Sequence, residues 1–158
     1  MVLIRPATSD DWPTVDALIR HTAAEASPLP VEDYPDDLLA RTDPADVLVA
    51  ATDDRVVGFV KLGRPTSMAT NAHVLTIAGL AVAAEHQGAG IGRRLALAAI
   101  QEARVRGARR LTLRVLGSNR RAQGLYSSLG FVVEGVLAEE FLLGGEYVDD
   151  VLMALPLS

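Results

Sequence analysis

Gln87-Gly88-Ala89-Gly90-Ile91-Gly92-Arg93 is the stretch on which the reading of this chain turns. It follows an apolar run and opens a helical one. The first amides of a helix have no internal partners, and the aligned peptide dipoles add partial positive charge there, so an anion is favoured. Glycines remove the Cβ atoms that would keep a phosphate from those amides. Arg93 and Arg94 fall in the first turn, where guanidinium groups can add charge-assisted contacts. The expected occupant is a pyrophosphate. A nucleotide P-loop would continue with Lys and then Ser or Thr, whereas this chain has Arg93-Arg94. A dinucleotide fingerprint would place glycine at position 93 and an acid near the end of the next strand, where Leu113-Arg114-Val115 offers none. On the glycines alone, a tight turn before a helix is the alternative.

Reading outward, His73 to Ala83 is mostly apolar and is expected to be a central strand. After the glycines, Ile91, Leu95, Ala99 and Ala103 recur every four residues, which predicts a helix over Ile91–Arg106 stopped by Gly107. Leu111–Leu116 alternates as a strand does, and Asn119–Leu129 is a short helix ending at Gly130. Two last strands, Phe131–Leu143 and Tyr147–Leu155, are joined by Gly144-Gly145. Toward the N-terminus, a strand over Leu3–Ala7 precedes a helix that starts near Thr8-Ser9-Asp10-Asp11 and runs to about Glu25. Pro28, Pro30 and Pro35 make the next stretch irregular, and a short helix is expected over Asp36–Arg41. Val47–Ala51 and Val56–Leu62 read as a hairpin around residues 52–55. The order is β-α-α-β-β-β-α-β-α-β-β, an α/β fold with a mixed sheet.

The 158 residues suit one domain over the whole chain, 1–158. With no cysteine, disulfides, thiolate catalysis and zinc–thiolate sites are excluded. A net charge of -5 argues against binding nucleic acid through phosphate neutralisation. The arginines are unevenly spread, with nine of them between Arg93 and Arg121, either as solvated helix faces or as an anion-binding edge. No secretory leader and no apolar run near the ~20 residues of a membrane span is visible, so a soluble, cytoplasmic protein without membrane contact is expected.

Two motifs together resemble the GNAT superfamily of N-acetyltransferases. The first is Gln87-x-x-Gly90-x-Gly92 preceded by Leu80-Ala81-Val82; the second is Asn119-x-x-Ala122-x-x-Leu125-Tyr126-x-x-x-Gly130-Phe131. The opening Ile4-Arg5-Pro6-Ala7-Thr8 and the element order match as well. The resemblance implies a mostly antiparallel sheet with flanking helices, and acetyl-CoA as co-substrate without a metal. It further implies that the strand ending at Val82 splays from Leu111–Leu116 and admits the pantetheine arm. Leu80-Ala81-Val82 would hold that arm, chiefly through the backbone of Leu80 and Val82. Gln87 and the loop Gly88-Ala89-Gly90-Ile91-Gly92-Arg93 would hold the pyrophosphate, and Asn119 would bond the pantetheine from across the site.

By the same resemblance Tyr126 is the catalytic candidate. Amine attack on a thioester makes an oxyanion that collapses by expelling a thiolate, and a phenol with an ordinary pKa near 10 can supply the proton. The other role open to Tyr126 is that of a core aromatic. A general base is not legible: relatives often place a glutamate on the strand before the glycine loop or on the next one, but here those positions read Thr76-Ile77-Ala78-Gly79 and Arg114. Glu25, Glu32, Asp33, His73, Glu139 or a water chain stand as substitutes. In the tail hairpin, Glu139, Glu140 and Asp149 either attract a cationic acceptor or are solvated acids of a turn. The expected acceptor is a small-molecule or peptide amine. A non-catalytic acyl-CoA-binding domain is the alternative, and the fold allows a homodimer.

Overall fold

The computed structural model describes residues 1–53 and 55–157. Its elements run β1 (Leu3–Pro6), α1 (Trp12–Ala26), β2 (Val47–Thr52), β3 (Arg55–Gly63), β4 (Val74–Val82), α2 (Ile91–Val105), β5 (Arg110–Leu116), α3 (Arg120–Ser128), β6 (Val132–Leu143) and β7 (Glu146–Pro156). The seven strands form one sheet in the order β1-β2-β3-β4-β5-β7-β6, antiparallel throughout except between β4 and β5. This is the expected mixed, mostly antiparallel architecture. The hairpin turn expected at residues 52–55 includes Asp54, which lies outside the described residues.

One expected element is absent. Asp36–Arg41 forms consecutive turns, not a helix: the Ala40 amide donates to the Asp37 carbonyl and the Thr42 amide to that of Leu39. Both are i→i+3 bonds, and nothing prolongs them. A helix needs several residues ordered before each further bond costs little, and six residues after Pro35 do not provide them. Burial of Leu39 holds the segment in place instead.

Helices cover both faces of the sheet. α2 lays Leu95, Ala96, Ala99 and Ala103 on one face against Val60, Leu62, Leu111 and Met153, where Tyr126 and Phe131 also pack. α1 lays Val15 and Leu18 on the other, against Val47, Val49, Phe59 and Leu39. The neighbours Phe59 and Val60 thus enter opposite cores, as alternation along a strand requires. The entry to α1 is fixed by Asp11, which accepts from the Thr8 amide at 2.8 Å and pairs with both Arg5 Nη atoms, at 2.8 and 3.0 Å. Those bonds, the one from Arg5 foremost, hold the Asp11 carboxyl below its ordinary pKa.

The irregular feature lies at the centre. β4 and β5 pair only from Val74 opposite Arg110 to Ile77 opposite Leu113, after which the two strands separate. On the other side of β4, Lys61 faces Gly79 and Leu62 faces Ile77, leaving Ala78 as an extra residue. Such a bulge bends the strand that carries it. The bend comes where pairing with β5 stops.

Candidate active site

The separated strands open a cleft of about 790 Å³. One wall is β4 from Thr76 to Ala81, the other is β5 from Arg114 to Leu116, and α1 reaches over it with Thr22, Ala23 and Ala26. A smaller lobe of about 290 Å³ adjoins it, sharing Thr22, Ala26, Leu80 and Ala81, and runs to the N-terminus of α2. One continuous groove therefore joins the gap in the sheet to the glycine loop.

The loop is shaped by its glycines. Gly88 and Gly90 have φ of +83° and +82°, a left-handed conformation that residues with a Cβ rarely adopt. Gly90 sits at the N-cap of α2, and its carbonyl accepts the first helical bond, from the Arg94 amide at 3.1 Å. The amides of Ile91, Gly92 and Arg93 precede that bond and have no acceptor in the helix. All three residues line the smaller lobe. The groove is thus suited to an elongated ligand with an anionic end at the loop and a slender arm in the gap.

Of the residues expected to bind the co-substrate, Leu80, Ala81, Val82, Gln87, Gly88, Gly90, Ile91, Gly92, Arg93 and Asn119 all meet on the smaller lobe. Ala89 and Tyr126 do not line it. The Gln87 side chain is engaged within the protein: its Nε2 donates to the Val82 carbonyl at 3.0 Å, and its Oε1 accepts from Arg121 at 2.6 Å. It ties the loop to the end of β4 and to α3. Asn119 caps α3, its Oδ1 accepting from the Ala122 amide at 3.2 Å, which leaves its amide nitrogen for a ligand. Arg93 donates to Ser128 Oγ at 2.9 Å, joining α2 to α3 beside the lobe.

Tyr126 is buried, with its ring edge-on to Phe131 at 5.5 Å between centroids. Burial pushes its phenol up to about 12, so it stays protonated at neutral pH. The hydroxyl makes no hydrogen bond among the described residues. No wholly buried side-chain polar atom there lacks a partner, so the oxygen retains contact with solvent.

The larger lobe holds two charges that sequence reasoning did not weigh, on Asp150 and Lys61. Asp150, on β7, is only 3% exposed and lines the cleft. Arg114 Nε donates to its Oδ2 at 2.8 Å, and Arg114 Nη2 bonds the same oxygen. Lys61 and Glu140 also line this lobe. Among the proposed bases, Glu25 lines the smaller lobe, whereas Glu32, Asp33, His73 and Glu139 line neither. Asp149 turns to the backbone, accepting at 2.9 Å from the amide of Glu139, which has φ of +53°. Of the three tail acids expected to meet an acceptor, only Glu140 lines the cleft. Strand alternation was the signal for Asp150: of two adjacent acids in a strand one must point inward, and Arg114 lies on the neighbouring strand to meet it.

Solved structures share this architecture over nearly their whole length. A GCN5-related N-acetyltransferase of Kribbella flavida is 30% identical, with a TM-score of 0.87 and coverage of 99% of this chain and 98% of that one. The ribosomal-protein-alanine N-acetyltransferase of Brucella melitensis is 28% identical, with a TM-score of 0.83 over 98% and 99% of the two chains. The protein yncA of Salmonella typhimurium, with its cofactor acetyl-CoA, is alike in fold at 23% identity, a TM-score of 0.83 and coverage of 100% and 95%. No curated protein sequence matches at a significant level. Residues 12–131 match the model of the acetyltransferase (GNAT) family, and with the parted strands and the glycine loop in place on one groove, the chain belongs to that family.

Proposed function

We propose that this chain transfers the acetyl group of acetyl-CoA to a primary amine by direct attack in a ternary complex. The observation that carries the reading is the continuity of the groove: free helix amides at one end, an unpaired strand edge in the middle, and a roomy charged chamber beyond it. In this reading the Ile91, Gly92 and Arg93 amides bind the pyrophosphate. The edge of β4 from Ala78 to Val82, without a partner on its β5 side, takes the pantetheine arm, and Asn119 donates to that arm from α3. Acetyl-CoA, when bound, supplies a thioester at the junction of the two lobes.

The acceptor enters through the larger lobe, where it must lose a proton before its lone pair can attack. The new N–C bond forms as the C–S bond breaks, and a backbone amide of β4 steadies the negative charge that develops on the oxygen. Tyr126 donates the proton that the departing thiolate requires. A phenol raised to about 12 by burial carries its proton across the physiological range, so the proton this role needs is present, although burial makes it a weaker acid than an ordinary phenol. The charge on the acceptor is met by Glu140 and Asp150 on the far wall. Calorimetry tests the first half of the proposal: acetyl-CoA should bind one per chain, with NAD, FMN and ATP silent. Release of CoA thiol on adding amines tests the second. Binding of NAD or ATP in preference to acetyl-CoA would remove the reading altogether, and binding without any thiol release would leave a sensing domain.

A further inference from the structure

The larger lobe carries four charged side chains, and they do not cancel pairwise. Arg114 and Asp150 neutralise each other across β5 and β7. That leaves Lys61 on β3 and Glu140 on β6, with no ion pair to either among the described residues. Because the sheet runs β3-β4-β5-β7-β6, these two sit on opposite sides of the parting. Lys61 is half-buried, and its ammonium makes one long hydrogen bond, to Thr42 Oγ1 at 3.4 Å. An ammonium has three donors, and this one bond leaves the others open to a further partner. Opposite it, Asp150 gives only Oδ2 to Arg114. Its Oδ1 receives no bond among the described residues, and since no wholly buried side-chain oxygen there lacks a partner, that oxygen opens to the cleft it lines.

We infer that the acceptor is amphoteric, carrying a carboxylate together with its reacting amine, with the carboxylate on Lys61 and the ammonium between Asp150 Oδ1 and Glu140. This inference rests on the acetyl-transfer reading above and deepens it. A plain cationic amine would leave the Lys61 charge facing it across the same chamber, unfavourable in a partly desolvated site. A molecule of both signs satisfies both walls. The chamber, at about 790 Å³, has room for a small molecule of this kind beside the acyl group. The acceptor proton leaves to a carboxylate oxygen of Asp150 or Glu140, so the amine lone pair is freed at the wall facing the thioester.

The experiment compares free amino acids, α- and ω-, each with its own carboxamide, by release of CoA thiol. Every pair keeps the side chain and differs in one negative charge, and the ω pairs, whose amine is remote from the carboxyl, keep the basicity of the amine as well. The acids should exceed their amides in kcat/KM by about tenfold or more, as expected for one charge-assisted hydrogen bond, with the difference in KM. In Lys61→Met the acid-to-amide ratio should collapse toward one, and in Lys61→Arg it should persist. Amides turned over as well as acids, or a ratio indifferent to Lys61→Met, would overturn the inference while the transfer reaction stands. So would turnover confined to amines that bear no anion. Loss of acetyl-CoA binding in the native protein, read by calorimetry, would instead overturn the transfer reading beneath it.

Discussion

The seam between β4 and β5 has two halves built from similar residues and put to opposite uses. In the closed half, Val74–Ile77 pairs with Arg110–Leu113, and the Thr76 hydroxyl adds a bond to the Thr112 carbonyl at 3.0 Å. Leu75, Leu111 and Leu113 are buried there under α2. In the open half, Ala78–Val82 and Arg114–Leu116 are equally strand-like, yet they do not pair with each other. The difference is one residue: Ala78, the extra position opposite β3, bends β4 away. An unpaired strand edge inside a sheet leaves polar backbone groups unsatisfied, a cost that persists only where something else is to pair with them. The closed half buries apolar side chains and the open half leaves a groove, the proposed ligand site, and substitutions should separate the two.

The largest effect is expected at Tyr126, which packs in the closed core and lines neither lobe, yet is the proposed acid. Tyr126→Phe keeps the ring and removes the acid, so kcat should fall by about 10²–10⁴-fold while acetyl-CoA affinity holds. The same residue gives a signature in stability. Because the native phenol is raised to about 12 from 10.0, its contribution is complete below pH 10 and is lost as pH rises from there toward 12. The wild type should therefore lose up to about 2–3 kcal/mol across that window relative to Tyr126→Phe, measured as the difference between their urea midpoints. Full turnover in the variant would return Tyr126 to the core alone.

A substitution in the closed half should do the reverse. Leu111 is fully buried between Leu75 on one side and Leu155 on the other. Leu111→Ala should lower the unfolding free energy by about 2–5 kcal/mol. At 100 times its Kd, acetyl-CoA should still restore about 2.7 kcal/mol, the same gain it gives the wild type. A smaller ligand-induced rise in the variant would mean that the closed half also holds the open one in shape.

The closed half was far more legible in the sequence than the open half. Alternating Leu and Val mark β5, and the four-residue repeat of Ile91, Leu95, Ala99 and Ala103 marks α2, because burial on one face imposes a period. The bulge at Ala78 imposes none: Thr76-Ile77-Ala78-Gly79-Leu80 reads as an unbroken strand, and only the family resemblance implied a splay there. The glycine loop was legible because φ of +83° and +82° leaves a chemical trace, the glycines themselves. Asp150 escaped notice because paired acids near a chain end look solvated, although adjacent strand residues cannot share a face. The turn at Asp36–Arg41 was mistaken for a helix because acids after a proline imitate a helix start, and local signals do not report whether a second turn follows.

The smallest effect is expected at the start of α1, the helix that runs from its Arg5–Asp11 anchor to the roof of the open lobe. Asp11 anchors its first turn, and the Arg5 guanidinium holds the carboxyl below its ordinary pKa of 3.8. The contribution of a depressed acid is complete above its unfolded value and fades as pH falls through the native one. Asp11→Asn should cost about 1 kcal/mol at neutral pH, and the gap to the wild type should close as the pH drops below about 4. Thr22 and Ala26, which touch the groove, lie about three and four turns further along the same helix. If α1 behaves as a rigid roof hinged on its own packing, acetyl-CoA affinity is unchanged in this variant. A parallel loss of affinity would show instead that the roof of the open half depends on this anchor.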